Sequence, residues 1–191
     1  MGKYRLKRAG VTPFWEWVAS WARAIGKPSD VGFDDEGYIL PELVTHRHII
    51  EADVSGDTGE ERDGQARLFR IPEMSATSIH KEKRMTAKAR AERVAELVSA
   101  EPGETWIVWC DTDYEADELM KLMPEAVEVR GSMPVGVKER KLDSFSRGET
   151  KVLVTKPSVA GYGLNWQHCA RVAFVGLSFS YESYYQAVRR C

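Results

Sequence analysis

The chain has 191 residues, 43% of them hydrophobic and 29% charged, with a formal net charge of −2; this suits one compact domain with an appendage and gives no overall signature of nucleic-acid binding. No apolar run approaches the roughly 18 residues that span a bilayer, so we predict a cytoplasmic protein with no membrane partner. Its three cysteines, Cys110, Cys169 and Cys191, lie far apart without the close pairing of a zinc site, which predicts a reducing environment and no bound metal.

The first predicted element is a helix over residues 12–26 with a broad aromatic face. Phe14, Trp17 and Trp21 fall at helical spacing, and Gly26 ends the pattern. We expect this face to pack on a core. The alternative is that it packs on a domain outside these residues, in which case the exposed apolar surface would favour self-association.

The middle of the chain changes character twice. Residues 44–54 predict a strand, and residues 55–66 have almost nothing to bury, which predicts a mobile loop. From about residue 85, strands alternate with helices. We therefore predict a connector of helical and extended segments over 1–84 and one α/β domain over 85–191.

Short apolar runs in the second part predict strands, and periodic segments predict helices between them. The predicted strands are 106–110, 126–129, 151–155 and 171–175, and the predicted helices contain 91–98, 113–123, 135–145 and 181–190. This alternation implies right-handed crossovers and a parallel sheet with helices on both faces. Ligands of such sheets lie at the carboxyl ends of the strands.

Two short motifs carry chemistry. Gly161 and Gly163, one residue apart, let the backbone turn tightly and bring its N–H groups close to an anion. Further along, Gln186 and Arg190 share one face of a predicted helix, and a guanidinium fork suits phosphate oxygens. Either motif alone would more often be a tight turn or a solvated surface, so the prediction depends on both converging on one mouth at the rim of the sheet.

In this order, the motifs resemble those of the Swi/Snf-type branch of superfamily 2 helicases, which are related to the DEAD and DEAH proteins. The segment G-x-G-L-N and the later Q-A-x-x-R resemble motifs V and VI, and the strand 106–110 with Asp111 and Thr112 resembles motif IV. The segment TKPSVAGYGLNWQHCARVAFVGL is similar in sequence to the corresponding part of helicase-like proteins of phages and prophages. Residues 4–41 resemble the connector that those proteins place after motif III.

The resemblance implies a RecA-like lobe of the P-loop NTPase type, the second of two lobes that hold ATP between them. The first lobe supplies the phosphate loop and the Mg²⁺ carboxylate, so ATP and Mg²⁺ are expected in the whole motor and no cofactor is intrinsic to this part. The sequence contains no G-x-x-x-x-G-K-[ST], and the family's second motif VI arginine falls three residues beyond Arg190. We therefore expect a chain truncated at both ends, paired with a missing N-terminal lobe and inactive alone.

By the same resemblance, each motif residue has an expected role. The catalytic residues are Gln186 and Arg190, the ATP-coupling residues are Gly161, Gly163 and Asn165, and the nucleic-acid contacts are Asp111, Thr112, Arg130, Gly131, Thr155 and Lys156. The expected nucleic acid is DNA, with RNA as the alternative.

Two other functions remain open from the sequence. One is a non-catalytic α/β module that binds nucleic acid or protein as a degenerate lobe. The other, a Rossmann-type dinucleotide enzyme, is disfavoured because no G-x-G-x-x-G follows the first strand.

Overall fold

The computed structural model describes residues 7–23, 25–39, 42–50 and 76–190, with the side chains of 76–78 excepted. The chain divides into two compact units, 1–47 and 48–191. Among the described residues, no helix is long and apolar enough to cross a membrane.

The first unit contains helix α1 (Val11–Trp21), with 3-10 turns at Arg8–Gly10 and Pro28–Val31. The helix ends earlier than predicted, because Ala22 is extended and Arg23 donates hydrogen bonds to the carbonyls of Ala19 and Ala22 at 2.5 and 3.2 Å.

Within its own unit, the aromatic face of α1 does not pack on a core, contrary to the prediction. No residue of the helix is buried, and Trp15, Trp17 and Trp21 are 60%, 59% and 65% exposed. Their ring contacts are made with one another and with Phe14 along the same helix.

The second unit is built on a four-stranded parallel sheet. The strands are β1 (Trp106–Trp109), β2 (Val127–Val129), β3 (Val152–Thr155) and β4 (Arg171–Phe174), in the order β2-β3-β1-β4. The helices are α2 (Ala76–Met85), α3 (Ala87–Ala100), α4 (Asp113–Leu122), α5 (Val135–Ser146), α6 (Pro157–Ala160) and α7 (Tyr181–Val188). Trp106 pairs with both Val152 and Arg171, and Thr155 pairs with both Trp109 and Val129, so β1 and β3 are the central strands.

Helices cover both faces of this sheet, as the sequence predicted. Val108 and Val154 point into one buried layer with residues of α3 and α4. Ile107, Trp109 and Leu153 point into the opposite layer with Phe145 of α5 and Ala187 of α7. Because both layers are apolar, every residue of the two central strands is buried.

Several predicted elements differ in the structure. Residues 42–50 form neither helix nor strand, so the strand predicted over 44–54 is wrong in its described part. The loop predicted over 55–66 lies outside the described residues. Helices α2 and α6 were not predicted.

Candidate functional site

The carboxyl ends of the four parallel strands meet at one side of the sheet, which we call the strand-end edge. It carries Asp111 and Thr112 after β1, Arg130 and Gly131 after β2, Thr155 and Lys156 at the end of β3, and Gly176 beyond β4. A cleft of about 200 Å³ opens here and is lined in part by Cys110, Asp111, Lys156, Phe174 and Gly176. The edge therefore brings together the strand-end residues that the sequence singled out.

Two of the predicted contact residues are cations held by carboxylates. Lys156 Nζ lies 2.9 Å from Asp113 Oδ1, and this contact lowers the pKa of the carboxyl. Arg130 pairs with both Asp117 and Glu128. These two hydrogen bonds raise the pKa of the guanidinium, and the bond with Asp117 has the larger effect. The side chains of Asp113 and Asp117 are 66% and 52% exposed, so both pairs are open to solvent.

Two other predicted contact residues form hydrogen bonds within the second unit. The carboxylate of Asp111 accepts a hydrogen bond from Lys83 of α2. Thr155 is 2% exposed, and its hydroxyl donates to the carbonyl of Val129 at 2.9 Å. Its side chain therefore joins β2 to β3 and does not reach the surface, whereas Gly131 is exposed.

The glycine turn follows α6 and needs both of its glycines. A Cβ on Gly161 would lie 2.3 Å from the carbonyl oxygen of Pro157, a distance at which the two atoms would clash. Gly163 has a φ of +74°, in the left-handed region that favours glycine. Asn165, at the end of the turn, is exposed.

Arg190 joins this turn to helix α7. Its Nη1 donates to the carbonyl of Leu164 at 2.8 Å, and its Nη2 donates to Gln186 Oε1 at 2.8 Å. The backbone N–H of Trp166 donates in turn to the carbonyl of Arg190 at 2.8 Å. The glycine turn and the Gln186–Arg190 pair thus meet through Leu164. None of these residues lines the cleft at the strand-end edge, so their convergence on one mouth at the rim of the sheet and their chemical roles stay predictions.

Residues 89–191, more than half of the chain, match the family described as helicase conserved C-terminal domain. The chain belongs to this family. Its parallel sheet with helices on both faces is the predicted RecA-like fold, and we call this part of the chain the helicase domain.

Solved structures similar to the helicase domain come from larger proteins. S. cerevisiae Dbp5 bound to RNA and ADP BeF3 is 22% identical over 54% of this chain and 29% of that one, with a TM-score of 0.48. The C-terminal part of the Fun30 ATPase domain is 16% identical over 53% and 35%, with a TM-score of 0.48. The helicase domain of Pyrococcus furiosus Hef is 22% identical over 56% and 23%, with a TM-score of 0.43.

The chain therefore spans about a quarter to a third of the length of these structures. No curated protein sequence matches it.

The helicase domain also contains a buried ion pair that sequence reasoning missed. Arg90 of α3 pairs with Glu115 of α4, whose side chain is fully buried. Glu115 also accepts the backbone N–H groups of Asp111 and Thr112, the second of which closes the predicted capping box. The capping box in the sequence pointed to Glu115, but nothing in the sequence pointed to its partner Arg90, which lies 25 residues earlier.

Proposed function

We propose that the chain is the second RecA-like lobe of an ATP-driven superfamily 2 helicase or translocase, of the type that phages and prophages encode. A first lobe supplies the phosphate loop and the carboxylate that holds Mg²⁺, and ATP binds between the two lobes. The observation that carries this proposal is the convergence of Arg190, Gln186 and the glycine turn. In this proposal the guanidinium lies between the bound nucleotide and the glycine turn, whose carbonyl at Leu164 it holds.

The bonds of Arg190 suggest how ATP and nucleic acid are coupled. One arm of its fork lies on Gln186 and the other on the carbonyl of Leu164, next to Gly163. Attraction of the guanidinium by a phosphate would compete with these bonds and would release the carbonyl of the turn. Since Gly163 has no Cβ, the turn can change its backbone angles at small cost. The glycine turn is therefore proposed to move when the nucleotide changes.

Nucleic acid is proposed to bind at the strand-end edge through its phosphates. Lys156 and Arg130 are two cations at this edge. Each pairs with a carboxylate that is more than half exposed, and Arg130 also pairs with Glu128, which is 14% exposed. Exposed ion pairs contribute only about 0–1 kcal/mol. A phosphodiester can therefore replace Asp113 or Asp117 as the partner of these cations. Contacts of this kind position a strand without reading its sequence.

The proposed function is tested by measuring binding and hydrolysis separately. We expect the chain to bind fluorescein-labelled single-stranded DNA with an affinity that falls steeply with salt, and to hydrolyse no ATP alone. Double-stranded DNA and single-stranded RNA are compared in the same titration to identify the preferred strand. Absence of binding to all three at low salt would overturn the nucleic-acid role. ATP turnover by the chain alone, abolished by Arg190→Ala, would overturn the need for a first lobe.

The carboxylate partner of Lys156 provides a second prediction. We expect Asp113→Asn to strengthen DNA binding by roughly two- to fivefold, because Lys156 no longer has to leave an anion. Lys156→Gln is expected to weaken binding and to reduce the slope of log affinity against log salt by about 1. Fluorescence anisotropy over a salt series measures both effects.

The matched control for this pair is Asp143→Asn. Asp143 is a comparably exposed carboxylate that pairs with Arg147 at 2.9 Å. It lies on helix α5 and not among the strand-end residues, and its change alters the net charge by the same amount. Equal strengthening by Asp113→Asn and Asp143→Asn would show that only net charge matters and would count against a site at Lys156.

A further inference from the structure

The guanidinium of Arg90 gathers four partners behind the strand-end edge. Its Nη1 donates to Glu115 Oε1 at 2.7 Å and to the carbonyl of Val175, just beyond β4. Its Nη2 donates to the carbonyl of Lys83 at 2.5 Å, and its Nε donates to Thr86 Oγ1 at 3.1 Å. Only a planar fork can reach partners on so many sides, and a lysine ammonium would leave several of them unpaired.

The carboxylate of Glu115 connects Arg90 to the backbone that follows β1. Its side chain is 0% exposed, and Oε2 accepts the N–H groups of Asp111 and Thr112 at 2.8 and 3.0 Å. These two residues are themselves among the predicted nucleic-acid contacts. The position of their backbone is therefore set by a side chain that itself never reaches the surface.

Gly176 closes the network on the side of β4. A Cβ at this position would lie 2.3 Å from Glu115 Oε1 and 2.6 Å from Oε2. The carboxylate thus occupies the space that any other residue at position 176 would fill. Arg90, Glu115 and Gly176 together fix the ends of β1 and β4 relative to one another.

Stability alone does not account for a buried pair of this kind. Burying two charges costs solvation free energy, and well-packed apolar side chains at such positions are often as stabilising or more so. What apolar side chains cannot do is accept two backbone N–H groups and donate to a strand-end carbonyl. The particular contribution of this pair is therefore the arrangement of the strand ends.

We propose that Arg90 and Glu115 are positioning residues for the nucleic-acid edge, holding the backbone of Asp111 and Thr112 and the end of β4 in the arrangement that binding requires. This inference rests on the proposed function, because it assumes that the strand-end edge is where nucleic acid binds. Neither residue contacts the nucleic acid in this proposal. Both act through the groups that they hold.

Two variants separate positioning from folding. Arg90→Met combined with Glu115→Leu removes both charges at once, so that no unpaired charge stays buried. Gly176→Ala keeps both charges and displaces the carboxylate of Glu115 with one methyl group. Lys88→Gln is the control, because Lys88 forms an exposed pair with Glu92 on the same helix, at 3.9 Å.

Three measurements are made on the chain and on each variant: thermal unfolding, amide hydrogen exchange at Asp111 and Thr112, and affinity for labelled single-stranded DNA. For both test variants we expect a native-like unfolding transition, exchange at the two amides faster by at least about tenfold, and DNA affinity lower by about tenfold. Lys88→Gln is expected to match the parent chain in all three.

The outcomes test the positioning role separately from the proposed nucleic-acid binding. Unchanged exchange at the two amides in both folded variants would overturn the positioning role. Faster exchange with unchanged DNA affinity would overturn its link to binding. If the parent chain binds no DNA, the proposed function fails and the link to binding fails with it, while the exchange measurement still decides whether the pair holds the two amides.

Discussion

Arg190→Ala is expected to lower the kcat for ATP hydrolysis of the intact helicase by about 10³-fold, because arginines that face the transferring phosphate stabilise charge that develops in the transition state. The KM for ATP is expected to change much less, since the contact is strongest in the transition state. Arg190→Lys should recover little activity, because an ammonium has no planar fork with which to exchange the carbonyl of Leu164 for a phosphate while staying bonded to Gln186 Oε1. Steady-state hydrolysis at saturating nucleic acid measures both variants.

The matched control is Arg147→Ala. Arg147 is an exposed arginine whose partners, Asp143 at 2.9 Å and Glu149 at 3.0 Å, lie beside it in sequence. Its removal deletes the same chemical group without touching the glycine turn or α7. An unchanged kcat in Arg190→Ala, with an unfolding transition like that of the parent, would contradict the role proposed for Arg190.

The parts of the fold that the sequence predicted correctly are those set by local pattern. The runs at β1 and β3 are apolar on both faces, and in the structure every residue of these strands is buried. Helix α4 begins at Asp113, as its capping box predicts. The glycine turn and the Gln186–Arg190 pair were predicted to meet because motif order and parallel topology bring them together.

The parts that failed depend on partners that a local pattern does not contain. The aromatic face of α1 was identified correctly as a face, but periodicity cannot say whether anything covers it. Thr155 was placed correctly at a strand end, yet its hydroxyl bonds to Val129, the residue opposite it in β2. That outcome depends on the register between strands, which the sequence alone does not set.

The Arg90–Glu115 pair shows the same limit within the site. Arg90 follows the helical pattern of α3 at the flank of its buried face, where an arginine is ordinarily half exposed. Its partner lies in the next helix, beyond β1. Only the packing of α3 on α4 brings the two charges together, so the sequence pattern did not reveal this ion pair.

Trp166→Ala is expected to lower the free energy of unfolding by about 3–5 kcal/mol, the usual cost of removing a buried aromatic side chain. Trp166 is 0% exposed and packs edge-on against Phe145 at 5.3 Å between ring centroids. Its indole Nε1 also donates to Ser146 Oγ at 2.9 Å. Urea unfolding followed by circular dichroism measures the loss, which is a large part of the roughly 5–15 kcal/mol that holds a typical domain together.

Trp17→Ala is the control for this change, since it deletes the same side chain from a position that is 59% exposed and should leave the midpoint of the main transition unchanged. Trp166 also bears on function, because its backbone N–H holds the carbonyl of Arg190. We therefore expect Trp166→Phe, which keeps a ring but loses the bond to Ser146, to lower stability by about 1–3 kcal/mol and to retain most of the ATPase rate of the intact helicase. Equal losses in Trp17→Ala and Trp166→Ala would contradict the central packing role of Trp166, because they would show that a covered and an uncovered tryptophan contribute alike.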